Sequence, residues 1–200
     1  MPIPSQPTGS PTVNQYGQDN ANNEGMKPTY RTTMTAFAPY ATPSDIVQLF
    51  NPAASTRTVR VSRVNVSGAS TAASTNRILL IKRSATDTGG TSASVTMTPM
   101  DSVDPAPQAT TLSWSAVPTG LGTAQGTIGS YVMSNPTLAG GGSAWIAEEL
   151  FGAARGVKSC VLHAGEALCL NMNGSAVPAG LVLDIEIEWT EEIPPTGVAV

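Results

Sequence analysis

Residues 181–190 set the strongest constraint on this chain. Leu181, Leu183, Ile185, Ile187 and Trp189 alternate with Val182, Asp184, Glu186, Glu188 and Thr190. A sustained two-residue period describes a β-strand with one packed face and one wet face. The rest of the chain must supply partners for such a strand, and its composition favours more strands over helices. Gly 19 and Pro 16 in 200 residues leave room for few long helices. Only 12% of residues are charged, about half the usual ~25%, so solubility rests on Ser, Thr, Asn, Gln and Gly.

From Tyr30 onward the pattern is β. Thr32, Met34, Ala36 and Ala38 alternate with Thr33, Thr35 and Phe37, and the Ala41–Ser44 turn leads into Asp45–Phe50, which Asn51-Pro52 ends. Residues 57–66 are long and β-branched, but Val59 and Val61 share one parity and Val64 and Val66 the other. A bulge near Ser62-Arg63 would bring all four to one face. Asn76–Arg83 reads as a buried strand. Residues 84–110 form a long excursion with a turn at Asp87–Gly90, prolines at 99, 105 and 107, and room for one short strand around Val95 and Met97. Thr110–Ala116, Gly126–Ser134, Val157–His163 and Ala167–Met172 read as strands, and 145–151 is the one helix candidate, short enough to be a helical turn or a loop. Short strands separated by Gly/Pro turns predict an all-β fold: an antiparallel β-sandwich or jelly roll with an extended N-terminal arm. A parallel α/β sheet would need crossover helices.

Three segments follow. Residues 1–29, rich in Pro, Asn, Gln and Gly, form an extended arm that cannot bury enough apolar area to order itself alone. Residues 30–193 form the β-sandwich domain, and 194–200 a short C-terminal tail behind Pro194-Pro195. The amino end lacks the basic start and apolar run of a secretory signal, so Sec-type export is not expected. A net charge of −4 with only 10 Lys+Arg excludes binding to nucleic acid through phosphate charge, and no apolar run approaches the ~20 residues of a membrane span.

The residues offer little for catalysis, and the chain is expected to be no enzyme. The single histidine, His163, sits beside a tight turn, and no Gly-x-Ser-x-Gly elbow or Gly-Lys-Ser/Thr phosphate loop is present. A multi-histidine metal site is impossible within one chain, and neither metal nor other cofactor is expected. Cys160 and Cys169 read as two reduced core thiols. If Ala164-Gly165 were a two-residue hairpin turn the cysteines would oppose each other, which leaves a late disulfide as the alternative. Asp184, Glu186 and Glu188, extended by Glu191 and Glu192, could form an acidic docking strip or a calcium site, or simply a solvated face. Their complement is a basic block that includes Arg57, Arg60 and Arg63. Separated blocks of opposite sign suit charge pairing between strands or between subunits.

Four stretches carry a resemblance: Thr42-Pro-Ser-Asp-Ile46, Arg57-Thr-Val-Arg-Val-Ser-Arg63, Ile81-Lys-Arg-Ser84 with Thr88-Gly-Gly90, and Leu183-Asp-Ile-Glu-Ile-Glu-Trp-Thr-Glu191. Together, over about residues 40–192, they resemble small structural proteins of tailed bacteriophages. The resemblance implies a virion component such as a head decoration (cement) or minor capsid protein. It would be synthesised in the host cytoplasm and placed on the head surface, where it binds across subunits of the major capsid protein. Junctions with local three-fold symmetry make a homotrimer the expected self-association. The arm would lie across neighbours, with Tyr16, Met26 and Tyr30 as its large anchors. The competing expectation is a receptor- or carbohydrate-binding module of a head fibre, collar or tail, using an exposed aromatic such as Trp114 or Trp145.

Overall fold

A computed structural model describes residues 27–137, 146–152, 158–172 and 176–192. Twelve strands are present among them: β1 (Thr29–Phe37), β2 (Asp45–Phe50), β3 (Thr58–Ala69), β4 (Ser74–Arg83), β5 (Thr91–Ser94), β6 (Met97–Pro99), β7 (Thr110–Ala116), β8 (Ala124–Asn135), β9 (Ala147–Leu150), β10 (Cys160–Leu162), β11 (Ala167–Asn171) and β12 (Val182–Glu192). They form two antiparallel sheets packed face to face. The first has the order β10-β3-β12-β1-β6, with β9 also paired to β3, and the second β5-β7-β2-β11-β4-β8. The pairing is nested: β1 lies on β12, β2 on β11, β3 on β9 and β10, and β4 on β8. Between β4 and β8 the chain makes its long excursion, whose strands extend both sheets: β7 pairs with β2, and β6 with β1.

The alternation in β12 does what its period requires. Leu183, Ile185, Ile187 and Trp189 are each no more than 1% exposed. They meet Val47, Leu49, Ile78, Leu80, Leu168 and Leu170 from the second sheet in one apolar core. The β3 pattern is resolved by a bulge. Opposite β12 the register passes from Glu188↔Arg63 to Trp189↔Val61, leaving Ser62 unopposed. Val59, Val61, Val64 and Val66 then all face the core, at 0–2% exposure. The freed Ser62 groups are used: its hydroxyl donates to Glu188 (3.0 and 3.1 Å), and its carbonyl accepts from the Phe151 amide at 2.8 Å.

Two sequence expectations are corrected. Residues 147–150 form strand β9 instead of a helical turn, paired with Arg63–Val66 of β3. A segment this short gains too little from helix formation to repay nucleation. The open edge of β3 supplies ladder hydrogen bonds, and Arg63 faces Glu148 at 2.9 Å. The cysteines also do not oppose one another. Residues 163–166 form a corner between sheets, so Cys160 pairs with Val61 in the first sheet while Cys169 pairs with Gln48 and Ile81 in the second. Both thiols are free. Asn51 enforces the corner. Its backbone exchanges bonds with Gly165 (2.7 Å) and Glu166 (2.9 Å), and its side-chain amide donates to the carbonyls of Arg57 (2.9 Å) and Leu162 (3.0 Å).

Deleting Ser62 removes the bulge and leaves Val59-Arg60-Val61-Arg63-Val64-Asn65-Val66 in strict alternation, so all four valines keep facing the core and only the hydrogen bonds of Ser62 are lost. The deletion variant is expected to stay folded and to lose about 1–2 kcal/mol by urea denaturation, close to the loss of about 1 kcal/mol for Ser62→Ala; unfolding of the deletion variant would show that the bulge itself is required.

Candidate functional site

The charged residues singled out in the sequence meet across β1, β12 and β3. Arg31 contacts Glu188 at 2.6 Å and Glu186 at 3.6 Å, and Arg63 contacts Glu186 at 3.4 Å. Arg60 pairs with Glu192, which Lys27 reaches from the other side at 2.9 Å. Asp184 accepts a 2.8 Å hydrogen bond from the amide of Ala36, whose φ of 51° marks the irregularity in β1. The carboxylates of this strip are therefore occupied by groups of the same chain and offer no vacant calcium cage. Part-exposed pairs of this kind contribute about 0–1 kcal/mol each. Their weight lies in register: against the cost of burial, Lys27 and Arg60 hold the Glu192 carboxyl below its usual range.

Arg57 and Glu191 leave the strip. Glu191 has the parity of Trp189 and points inward, 1% exposed. There it accepts from the amides of Gln108 (2.9 Å) and Ala109 (2.9 Å), from the Trp189 indole (3.3 Å) and from Arg57 (3.1 Å). One buried carboxylate thus fastens the descending limb of the excursion to the central strand. Tyr30 belongs to the same group. It is fully buried, 5.9 Å from Trp189 between ring centroids, and donates to the Pro105 carbonyl at 2.6 Å. Tyr30 therefore anchors this domain internally and is not free to grip a neighbour as an arm residue. Its inward parity with Thr32 and Met34 was the signal. Tyr16, Met26 and residues 1–26 of the arm lie outside the described residues, as does Trp145. Trp114 is 1% exposed and provides no aromatic platform for a sugar.

The densest polar constellation was missed in the sequence. On β2 and β11, Gln48 and Cys169 are partners on the face opposite the core residues Leu49 and Leu168. A register shift between Leu170 and Asn171 turns Asp45 to that same face. The excursion folds over it. Residues 84–90 run beside 117–123, joined by Ser84 N→Thr123 O (3.0 Å) and Thr88 N→Gly120 O (2.7 Å). Gly90 permits the approach, since a Cβ there would lie 2.6 Å from the Ala116 and Val117 carbonyls. Beneath this flap Arg83 meets Asp45 at 2.5 Å and Asp87 at 3.7 Å, and donates to the Gly122 carbonyl at 2.8 Å. Asp87 accepts from the Gly122 amide at 3.1 Å, Asn171 donates to Asp45 at 2.5 Å, and Gln48 accepts from Thr86 at 2.8 Å. The available signal was an Asp and a Gln inside the otherwise apolar strand Asp45–Phe50, and an Arg83/Asp87 spacing of four.

Donor atoms of Asp45, Asp87 and Cys169 lie within 4.8 Å of one another, close enough for a metal, but the cluster does not fit one. The Arg83 guanidinium already occupies the cation position. Burial, with Asp45 and Asp87 beside it, pushes the Cys169 thiol well above its usual range, whereas a metal needs the thiolate. Burial, reinforced by Asp45, also pushes the Asp87 carboxyl up to about 7. Two buried carboxylates share one guanidinium, so Asp87 holds its proton well above the usual carboxyl range. The only histidine is exposed at the β10–β11 corner. With Lys82, Lys158, Cys160 and Phe151 it lines an open cavity of about 430 Å³. Burial pushes the Cys160 thiol there up to about 11, far from a thiolate nucleophile at neutral pH. Comparisons of the chain with protein-family models, curated proteins and solved structures find no match.

Two outcomes check this description. Because the folded-state value for Asp87 lies above the ordinary carboxyl value, its contribution to stability is complete below about pH 4 and is lost as pH rises through about 7. Glu166 and Glu192, held low by their partners, act oppositely and only in the acid range. Denaturation midpoints are expected to fall between pH 5 and about 8 in the wild type, and Asp87→Asn is expected to flatten that slope. Glu191→Ala, which orphans two buried amides and Arg57, is expected to cost about 3 kcal/mol in chemical denaturation.

Proposed function

We propose that this chain is a non-enzymatic structural protein of a tailed-phage virion, a decoration protein that stabilises the head by binding across major capsid subunits. The strand pairing supports a jelly-roll reading. First with last, second with next-to-last and so inward is the order of a rolled-up antiparallel ribbon, β1-β12-β3-β10 over β2-β11-β4-β8. The observation that carries a binding role is the excursion at 84–123. The Asp45–Arg83–Asp87 and Glu191 clusters fasten it to the body, yet it presents Met100 (55% exposed), Val103 (84%), Val117 (36%) and Leu121 (45%) to solvent. Apolar side chains held out on a braced loop suit docking to a protein surface. The fastening clusters, by contrast, have their polar groups committed to the fold. The phage assignment itself rests on the resemblance of residues 40–192.

In this reading the leading segment adds a second, extended contact. Many modest sites on one shell act together against internal pressure. A decoration role calls for no cofactor, nucleic acid or membrane. No helix among the described residues is long and apolar enough to cross a bilayer.

Co-sedimentation with expanded, DNA-free heads built from the major capsid protein of the same phage tests the proposal. Wild type is expected to co-sediment. Val103→Asp and Leu121→Asp are expected to bind about tenfold more weakly with unchanged circular dichroism, and deletion of residues 1–28 to weaken binding further. Absence of wild-type binding overturns the decoration role, and full binding by both aspartate variants removes the excursion from it.

A further inference from the structure

The edges of the two sheets are unequal. β6 has three residues and contains Pro99, β10 has three, and β9 and β5 have four each. Short edge strands and proline are the usual devices that stop an edge from recruiting another chain. β8 has neither. Among the described residues it stands at the end of the second sheet; it runs twelve residues from Ala124 to Asn135 and contains no Lys, Arg, Asp, Glu or Pro. Its first half is bent by register shifts against β4 at Leu80/Ile81 and Lys82/Arg83, which spoil a ladder. Its second half, Gly129–Asn135, pairs with Leu80–Ser74 without a shift. Val132, in the middle of that regular stretch, is 60% exposed.

We propose that the β8 edge is the contact between two copies of this chain, which pair antiparallel about a two-fold axis at Val132 and join their second sheets into one. In that register Val132 faces its own counterpart, Ser130 faces Ser134, Tyr131 faces Met133 and Gly129 faces Asn135. Charge favours a second copy as the occupant. A chain of net charge −4 meets like charge when most of its surface faces itself, and this strip carries none. The nearest outward cation, Arg77, is the β4 partner of Val132. Two copies of it would stand three strand spacings apart, about 14 Å, beyond the ~8 Å screening length at physiological salt. Glu149, which bonds Tyr131, belongs to β9 of the other sheet. A contact through one strand is smaller than a standard interface of ~1,200–2,000 Å², so the dimer dissociates on dilution.

Sedimentation equilibrium of the full chain, up to about 200 µM, is expected to show a monomer–dimer equilibrium, and Val132→Lys to weaken it about tenfold or more without changing the melting transition. Val132→Cys provides a trap for a weak dimer. Opposed residues at a two-fold in an antiparallel ladder have Cα atoms about 4.5–5.5 Å apart, within disulfide range. The variant is therefore expected to form a covalent dimer under mild oxidation that the wild type does not form. A chain that stays monomeric and fails to cross-link overturns the proposal, as does a trimer, or a dimer indifferent to Val132→Lys. A monomer that dimerises only after deletion of residues 1–28 also overturns it, showing an edge covered by the chain's own leading segment. Head binding plays no part in these readouts, so they stand or fall separately from the decoration role.

Discussion

The structure depends on β12 being paired along both of its edges. β1 lies on one side from Thr29 to Phe37, and β3 on the other from Thr58 to Ala69. A strand with two neighbours has its backbone groups satisfied throughout, so its side chains are free to obey a strict alternation. The inward set brings Leu183, Ile185, Ile187 and Trp189 into the core. The outward set carries the acids that Arg31, Arg60 and Arg63 cover, and the arrangement holds because both flanking strands bring their arginines to matching positions. The irregularities fall on the flanking strands: Ser62 bulges in β3 and Ala36 turns aside in β1, each answered by a β12 carboxylate or carbonyl.

The polar interior has a different task. A β-sandwich needs only apolar facing residues, yet this one buries Asp45, Arg83, Asp87 and Glu191. All four sit where the 84–123 excursion meets the body. An apolar seam would fix the flap's position loosely, whereas directional hydrogen bonds to Gly122, Gln108 and Ala109 fix it at particular atoms. A flap fastened so is one that can display side chains in a constant geometry.

Much of the fold was legible in the residues because the strands follow simple periods. The last strand, the Asp45–Phe50 and Thr110–Ala116 strands and the bulge at Ser62 could be read because burial on one face leaves a two-residue signature, and a break in that signature has few geometric remedies. The 145–151 segment was not, because an amphipathic run of seven residues suits either state until a neighbour with an open edge is known. The cysteine register failed for a related reason: a tight turn gives no local sign of whether its strands remain in one sheet or part into two. The Asp45–Arg83–Asp87 cluster escaped because its members come from separate strands and a loop. Such charges look like surface residues until the flap that covers them is placed.

The separation of the two thiols has a consequence for where such a molecule can serve. Cys160 and Cys169 occupy different sheets as free, buried or half-buried groups, so the fold owes nothing to sulfur cross-links. A scaffold of this kind meets the shift from reducing to oxidising surroundings without any covalent maturation, and is equally complete on either side of a cell boundary.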